Sequence, residues 1–314
     1  MAPFLDAALD RTLVGGYTRI GYALRSPTWA PPARMDGRVA VVTGATSGLG
    51  LAAATGFARL GARVVLVARD TARGERAAES VRERADAGAE AVTVLRCDLS
   101  DLGDVRRFAA ELAAAAPRVE ILVNNAGVLT EHRETSPDGH ELTLATNVLG
   151  PFLLTALLHP ITRRVVNVAS GGMYGRRLDV DTLLDPADPF NGTKAYAMTK
   201  RAEVVLTELW ARRLDPAATV VHAMHPGWAD TPGLAASLPA FHRVAGPLLR
   251  TAEQGADTIV WLGAAAAPVH TTGAFWHDRR RRPTHYVRWT REAPEQRTRL
   301  WDACVARTGA PLRA

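Results

Sequence analysis

The stretch Val39-Ala40-Val41-Val42-Thr43-Gly44-Ala45-Thr46-Ser47-Gly48-Leu49-Gly50 decides the fold. Its first five residues are apolar or β-branched and read as a buried strand. A glycine-rich turn then leads directly into Leu49 to Leu60, a run of helical length and composition. Three glycines at such a strand end permit a tight turn and let backbone N–H groups and the helix N-terminus approach a pyrophosphate. A phosphate-hydrolysing loop would carry Gly-Lys-Ser/Thr here, and Leu51 follows the last glycine instead. Gly44, Thr46, Ser47, Gly48, Leu49 and Gly50 are therefore expected to cradle a dinucleotide.

The same alternation continues along the chain. Val64 to Ala68, Val92 to Leu95, Ile121 to Asn124, Val165 to Ala169 and Val220 to Met224 read as further buried strands. Thr71 to Ala87, Asp101 to Ala115, His140 to Leu158 and Ala195 to Leu214 read as the helices between them. Strand and helix in strict succession predict an α/β fold, a Rossmann-type doubly wound parallel sheet forming a single domain over residues 36–278. Residues 1–35 form a leader in which Leu5, Leu9, Leu13, Tyr17, Ile20 and Leu24 recur at helical spacing. One amphipathic helix packed on its own domain is expected there, with peripheral membrane contact as the alternative and Gly15 and Gly16 as weak points. Residues 279–314 form a polar tail with a helix near Glu295 to Arg307, and Gly171 to Thr193 and Trp228 to Arg250 read as long functional loops.

Composition removes several function classes. Across 314 residues the formal charge is +6, but arginines are scattered and only Arg279 to Arg282 form a dense run, which reads as solvated, so no nucleic-acid partner is expected. Cys97 and Cys304 are far apart, which fits neither a disulfide framework nor a zinc knuckle and points to a reducing, cytoplasmic setting. The apolar run Ile259 to Val269 is too short to span a bilayer, so no spanning segment is expected. Among nine histidines, His222 and His225 are the nearest pair with ligand-like spacing, but residues three apart on a strand face opposite ways, and no metal is expected.

The second strand ends Leu66-Val67-Ala68-Arg69-Asp70. Ala68 stands where a carboxylate would bind the ribose of NAD, and Arg69 beside it can pair with a 2′-phosphate. NADP(H) is the expected cofactor. NAD(H) remains the alternative through Asp70.

Tyr196-Ala197-Met198-Thr199-Lys200 places a phenol and an ammonium one helical turn apart on one face. A tyrosine is a poor base near neutrality, and a neighbouring cation favours its phenolate. The chain has just two lysines, Lys194 and Lys200, which makes the placing of Lys200 informative. With the glycine loop, Asn124-Asn125-Ala126-Gly127 after the fourth strand and Ser170 closing the fifth, the pattern resembles the short-chain dehydrogenase/reductase family. In that family the serine polarises the substrate oxygen, the tyrosine transfers a proton, the lysine assists it and a helical asparagine, here Asn147, sustains a water relay. The resemblance further implies cofactor contacts at Asp98, Leu99, Asn125, Ala126, Gly127, Pro226, Gly227 and Thr231, with capping of the next helix an equal role for Asp98. Ser-Gly-Gly-Met at 170–173, Met-His-Pro-Gly-Trp at 224–228 and the 26 positions between Ser170 and Tyr196 resemble the retinol-dehydrogenase-like branch and the subgroup of SDR family member twelve.

These residues imply an NADP(H)-dependent oxidoreductase interconverting a carbonyl and an alcohol, with a small-molecule substrate and, by family expectation, a homo-oligomeric state. A non-catalytic NADP(H)-binding sensor on the same fold is the alternative. Met173, Tyr174, Leu178, Leu183, Phe190, Trp228, Leu234 and Phe241 are the expected pocket lining and favour an apolar substrate.

Overall fold

Strand β1 (Val39–Thr43) is buried along its whole length, as a strand covered on both faces must be. In a computed structural model, which describes residues 3–311, β1 lies between β2 (Arg63–Ala68) and β4 (Val119–Asn124) in a sheet of eight. The others are β3 (Val92–Arg96), β5 (Thr162–Val168), β6 (Val220–Met224), β7 (Phe275–His277) and β8 (Arg280–Arg281), in the order β3-β2-β1-β4-β5-β6-β7-β8. All neighbours pair in parallel except β7 with β8. The direction of winding reverses between β1 and β4, which opens a crevice beyond their carboxyl ends.

One face is covered by helices Gly48–Arg59, Thr71–Ala85 and Ala252–Ala264, which bury Phe57, Val81 and Ile259. The other is covered by Leu102–Ala115, Gly192–Ala211 and the helix over 142–158, with Phe108, Phe152 and Leu206 in a continuous core. Helix Pro294–Thr308 joins that core, since Trp301 packs edge-on to Phe152 and Trp210 at 5.1 and 4.8 Å. The segment Leu142–Ile161 is long and apolar enough to cross a membrane by composition, with mean hydropathy 1.5, against the expectation that the sequence holds no such segment. Its apolarity has a different use here, because 83% of it is buried inside the molecule.

At the C-terminal end the expected helix is present as Pro294–Thr308, whereas the leader and the arginine run depart from expectation. The leader is three short helices, Pro3–Arg11, Leu13–Tyr17 and Arg19–Arg25, broken at Thr12 and Thr18. Leu5 and Leu13 lie outside the residues whose side chains are described, while Ile20 and Leu24 are exposed and do not dock the leader. Tyr17 of that stripe is buried against His225 and His277, and charges supply the rest of the docking. Arg25 binds Asp6 at 2.7 Å and Asp278 at 2.6 Å, and Arg282 binds Asp6 at 2.8 Å and Asp10 at 3.2 Å. Gly16, read as a weak point, offers its carbonyl to Arg25, Arg250 and His277, and a side chain at Gly21 would collide with the Gly15 carbonyl. The Arg279 to Arg282 run is solvated only in its middle: Arg281 is exposed, whereas Arg279 clamps Asp257 through two bonds of 2.7 Å and the Arg282 side chain is buried on the leader's carboxylates.

Strands β7 and β8 meet in a two-residue turn, Asp278–Arg279, with both φ values positive, at 51° and 55°. Such turns usually take Asn-Gly, because few side chains tolerate the left-handed region. Here the side chains are needed, since Asp278 receives Arg250 at 2.6 and 2.9 Å as well as Arg25. Burial works to raise the Asp278 pKa, and its contacts with His277, Arg250 and Arg25 outweigh this and hold the carboxyl well below its usual 3.8. Its contribution to stability is therefore present above pH 3.8 and lost as pH falls below it. Asp278→Asn keeps the turn's backbone preference while leaving two buried guanidinium groups short of a counter-charge. It is expected to cost about 3–5 kcal/mol in denaturant unfolding near neutral pH, with the difference from wild type shrinking in strong acid; a loss under about 1 kcal/mol would contradict this account.

Candidate active site

Beyond the carboxyl ends of β1 and β4 the chain forms a cleft of about 620 Å³. Every position singled out above for cofactor or chemistry lines it, except Asn147. At its floor, Gly44 turns with φ 63°, and a Cβ there would come within 2.8 Å of the Ala126 Cα. A Cβ at Gly50 would strike the Gly44 carbonyl and the Asn125 side chain. Thr43 ties the two loops together, its hydroxyl accepting from the Asn125 and Ala126 amides at 2.9 and 3.0 Å. Ser47, before helix Gly48–Arg59, makes no side-chain cap. The first amides of that helix are thus without a side-chain acceptor from Ser47, and the glycine cradle and N-terminus fit a dinucleotide pyrophosphate.

Around the rim, Arg69 is exposed at the end of β2 and no partner holds its guanidinium among the described residues. Asp70 beside it caps helix Thr71–Ala85 by accepting from the Arg73 amide at 2.9 Å, and that bond holds its carboxyl below the usual range. Asp98 accepts from the Ser100 amide and hydroxyl at 2.9 and 2.7 Å, with Leu99 buried next to it. Capping of helix Leu102–Ala115 falls to Asp101, not to Asp98. Thr231 caps the short helix Pro232–Ser237, and Gly227, with φ 80°, lies where any side chain would meet Arg250.

Chemistry-bearing side chains come from three elements. Ser170 follows β5, its hydroxyl accepting from the Gly172 amide at 3.3 Å. Tyr196 and Lys200 project from helix Gly192–Ala211, whose start is set by Asn191 capping the Lys194 amide at 2.9 Å and by Gly192 lying against the Thr130 carbonyl. Lys200 Nζ lies 5.5 Å from the Tyr196 ring centroid, 2.9 Å from the Val168 carbonyl and 2.7 Å from Glu203 Oε1. Asn147 sits one layer behind in a π-helical turn, Ala145–Leu149. Its carboxamide accepts from the Val128 amide at 2.9 Å and donates to the Val128 carbonyl and Thr199 hydroxyl at 3.1 and 3.0 Å. Gly127 leaves room for this arrangement, since a Cβ there would lie 3.3 Å from Asn147 Oδ1 and 3.4 Å from Lys200 Nζ.

Sequence reasoning missed Glu203 and His225. A carboxylate three residues after Lys200, just ahead of Val204-Val205-Leu206, was an available signal. His225 was read only as one of a ligand-like pair, yet it lines the cleft with its Nε2 unpartnered among the described residues. Burial pushes His225 well below the usual imidazole range, reinforced by His277 and Arg250, so it is neutral. His222 faces away, bonded to the Pro268 carbonyl at 3.0 Å and to Trp276. The expected apolar lining needs a larger correction. Trp228 and Leu234 line the cleft, whereas Met173, Leu178 and Leu183 are core residues and Tyr174, Phe190 and Phe241 lie away from the cleft wall. Leu129, Leu142, Ala229 and Leu238 take their place.

Comparison with known proteins agrees with this geometry. The short chain dehydrogenase family model matches residues 38–240. Dehydrogenase/reductase SDR family member 12 of Bos taurus is 41% identical over 281 residues, 86% of each chain. Polyprenol dehydrogenase of Mus musculus is 35% identical over 307 residues, 90% of this chain and 87% of its own. Among solved structures, a 3-ketoacyl-(acyl-carrier-protein) reductase from Brucella melitensis complexed with NADH superposes with a TM-score of 0.61 at 28% identity, over 76% of this chain and 96% of that one. With its glycine loop, its eight-stranded sheet and these relatives, the chain belongs to the short-chain dehydrogenase/reductase family and is an oxidoreductase of the CH–OH/C=O class built on an NAD(P)-binding Rossmann fold.

Proposed function

We propose that the protein catalyses NADP(H)-dependent interconversion of an apolar carbonyl compound and its alcohol, with Ser170, Tyr196 and Lys200 as the working residues and Asn147 supporting them. The observation that carries this reading is the convergence of the two hydroxyls and one buried ammonium on a single cleft at the point where the sheet reverses. In the reductive direction the Ser170 hydroxyl donates to the substrate oxygen and stabilises charge as it grows there, while Tyr196 delivers its phenol proton to the same oxygen. Lys200 stabilises the phenolate left behind. A nicotinamide dinucleotide held by the glycine cradle at its pyrophosphate would supply the hydride.

Two features support NADP(H). Arg69 lies beside the end of β2 in the cleft with no partner for its guanidinium among the described residues, and Asp70, the carboxylate next to it, is engaged in capping a helix, which favours a 2′-phosphate over a ribose diol there. For the substrate, the walls formed by Leu129, Leu142, Trp228, Leu234 and Leu238 favour an apolar chain, as does a relative named for polyprenol. Buried thiols at Cys97 and Cys304 support a reducing compartment, the cytoplasm, as the workplace.

Oxidation of NADPH by aldehydes and ketones graded by chain length tests the reaction. Tyr196→Phe is expected to lose about 10²–10⁴ in turnover with NADPH binding unchanged, and long-chain substrates are expected to outperform small hydrophilic ones. NADPH binding with no Tyr196-dependent turnover on the panel would transfer the assignment to a cofactor-binding sensor. Arg69→Ala is expected to weaken NADPH binding about tenfold, about 1.4 kcal/mol, and to leave NADH binding unchanged. Equal losses for both cofactors in titration would refute the 2′-phosphate role.

A further inference from the structure

Helix Gly192–Ala211 carries a third ionisable group beside Tyr196 and Lys200, and the reaction described above makes no use of it. Glu203 is buried, as are Ala202, Val204, Val205 and Leu206 around it. A carboxylate in such surroundings is costly unless it is paired. One oxygen, Oε1, is paired with Lys200 Nζ at 2.7 Å, and the Val168 carbonyl receives the same ammonium at 2.9 Å. The other, Oε2, has no partner among the described residues. Glu203 also lines a cavity of about 10 Å³ behind the cleft, together with Asn147, Thr155 and Asn167. That space has room for about one water; Val148, Pro151, Phe152, Leu206 and Trp210 make most of its wall apolar, and the four polar side chains give a water its partners.

Charge follows this geometry. Burial alone drives Lys200 to release its proton, and the Glu203 carboxylate with Tyr196 outweighs that and holds Lys200 above the usual lysine range. Burial in turn pushes Glu203 up to about 7 against the pull of Lys200. The groups facing the pair from β5 are the Val168 carbonyl and Asn167, and those from the helix over 142–158 are Asn147 and Thr155, all of them neutral. Among the described residues Tyr196, Lys200 and Glu203 are the ionisable groups that set this balance.

We propose that Glu203 is a positioning residue of the reaction: it holds Lys200 as an oriented ammonium beside Tyr196, with its second oxygen served by a water in the cavity behind. The inference rests on the reading of Tyr196 and Lys200 given under the proposed function. Without Glu203 the same burial works unopposed on Lys200, which then loses its charge at lower pH.

The test is the pH dependence of kcat for alcohol oxidation, measured on the wild type, Glu203→Gln and Glu203→Asp. The Gln variant is expected to move the alkaline limb down by about one pH unit or more, with KM little changed. At pH values above the limb, turnover then falls about tenfold for each pH unit by which the limb has moved. Asp keeps the charge at shorter reach and should place the limb between the other two; if the Gln protein does not fold, the Asp protein carries the comparison, and a wild-type limb and kcat in it overturn the proposal. On a Lys200→Met background, Glu203→Gln should cause no further loss of kcat, because Glu203 acts through Lys200. A folded, NADPH-binding Gln variant with the wild-type limb and kcat overturns the proposal, as does a further loss on the Met background. Tyr196→Phe is run alongside. If that variant is inactive while Glu203→Gln is unchanged, Glu203 alone is refuted; if it retains wild-type turnover, the proposed function itself falls.

Discussion

A single buried carboxylate, Asp278, holds together three parts of the chain that sequence distance keeps apart. It sits at a two-residue turn and accepts guanidinium groups from Arg250, after the last long loop, and Arg25, in the leader. Arg250 then spreads its remaining donors over the carbonyls of Gly16, Thr18 and Pro226. Five donors in a rigid plane suit one arginine to this bridging, which lysine's point charge could not reproduce. The consequence reaches the cleft. Pro226 and Gly227 line its wall, Arg250 presses on Gly227, and the Tyr17 carbonyl of the leader accepts the Trp228 amide at 2.7 Å. The leader is thus a buttress for the walls of the cleft, joined by hydrogen bonds and by the Tyr17 ring, edge-on to His225 at 4.6 Å.

What could be read from sequence follows from the range of the physics involved. The glycine loop, the six long parallel strands and the Tyr196–Lys200 pair are local: strand burial, positive φ and one-turn helical spacing are properties of a few consecutive residues. The hairpin of β7 and β8 could not be read this way. Its strands span three and two residues, its turn lacks the usual glycine, and its arginines resemble a solvated run until Asp6, Asp10 and Asp257 arrive from elsewhere. The leader misled for a related reason, because its apolar stripe was visible while the charges that dock it had partners hundreds of residues away. Met173, Leu178 and Leu183 illustrate a third limit. An apolar residue in a loop packs into the core unless something polar prevents it, and nothing does so here.

The π-helical turn at Asn147 shows how local geometry and chemistry are joined. An extra residue in that turn interrupts the regular ladder. The Asn147 carboxamide meanwhile reaches back to both backbone groups of Val128, two residues beyond Ala126, and forward to Thr199 on the helix that carries Tyr196 and Lys200. Thr199 donates in turn to the Tyr196 carbonyl at 2.7 Å. Asn147 therefore locks the loop after β4 to the first turns of helix Gly192–Ala211 without itself touching the cleft. Gly150 enables this from the other side, because a Cβ there would run into the Leu99 carbonyl, so the helix lies close against the segment that holds Asp98 and Leu99.

These contacts arrange the site in two layers with different tasks. The front layer, Ser170, Tyr196 and Lys200, meets the cleft. Behind it lies a buried polar network in which Asn124 donates to Asn167 at 2.8 Å, Asn167 to the Thr207 hydroxyl at 2.8 Å, and that hydroxyl to the Glu203 carbonyl at 2.8 Å. Such networks fix a core in one arrangement more firmly than apolar contacts do, although Asn124 Oδ1 and Glu203 Oε2 have no partner among the described residues. The network runs from β4 through β5 into the catalytic helix, so the same bonds that set the helix against the sheet also set the depth at which Lys200 and Glu203 are buried. Depth is what makes their pairing consequential. An exposed lysine and glutamate at this spacing would contribute a few tenths of a kcal/mol and leave each other's proton affinity nearly unchanged; out of water, with neutral neighbours on the adjoining strand and helix, each pulls on the proton affinity of the other.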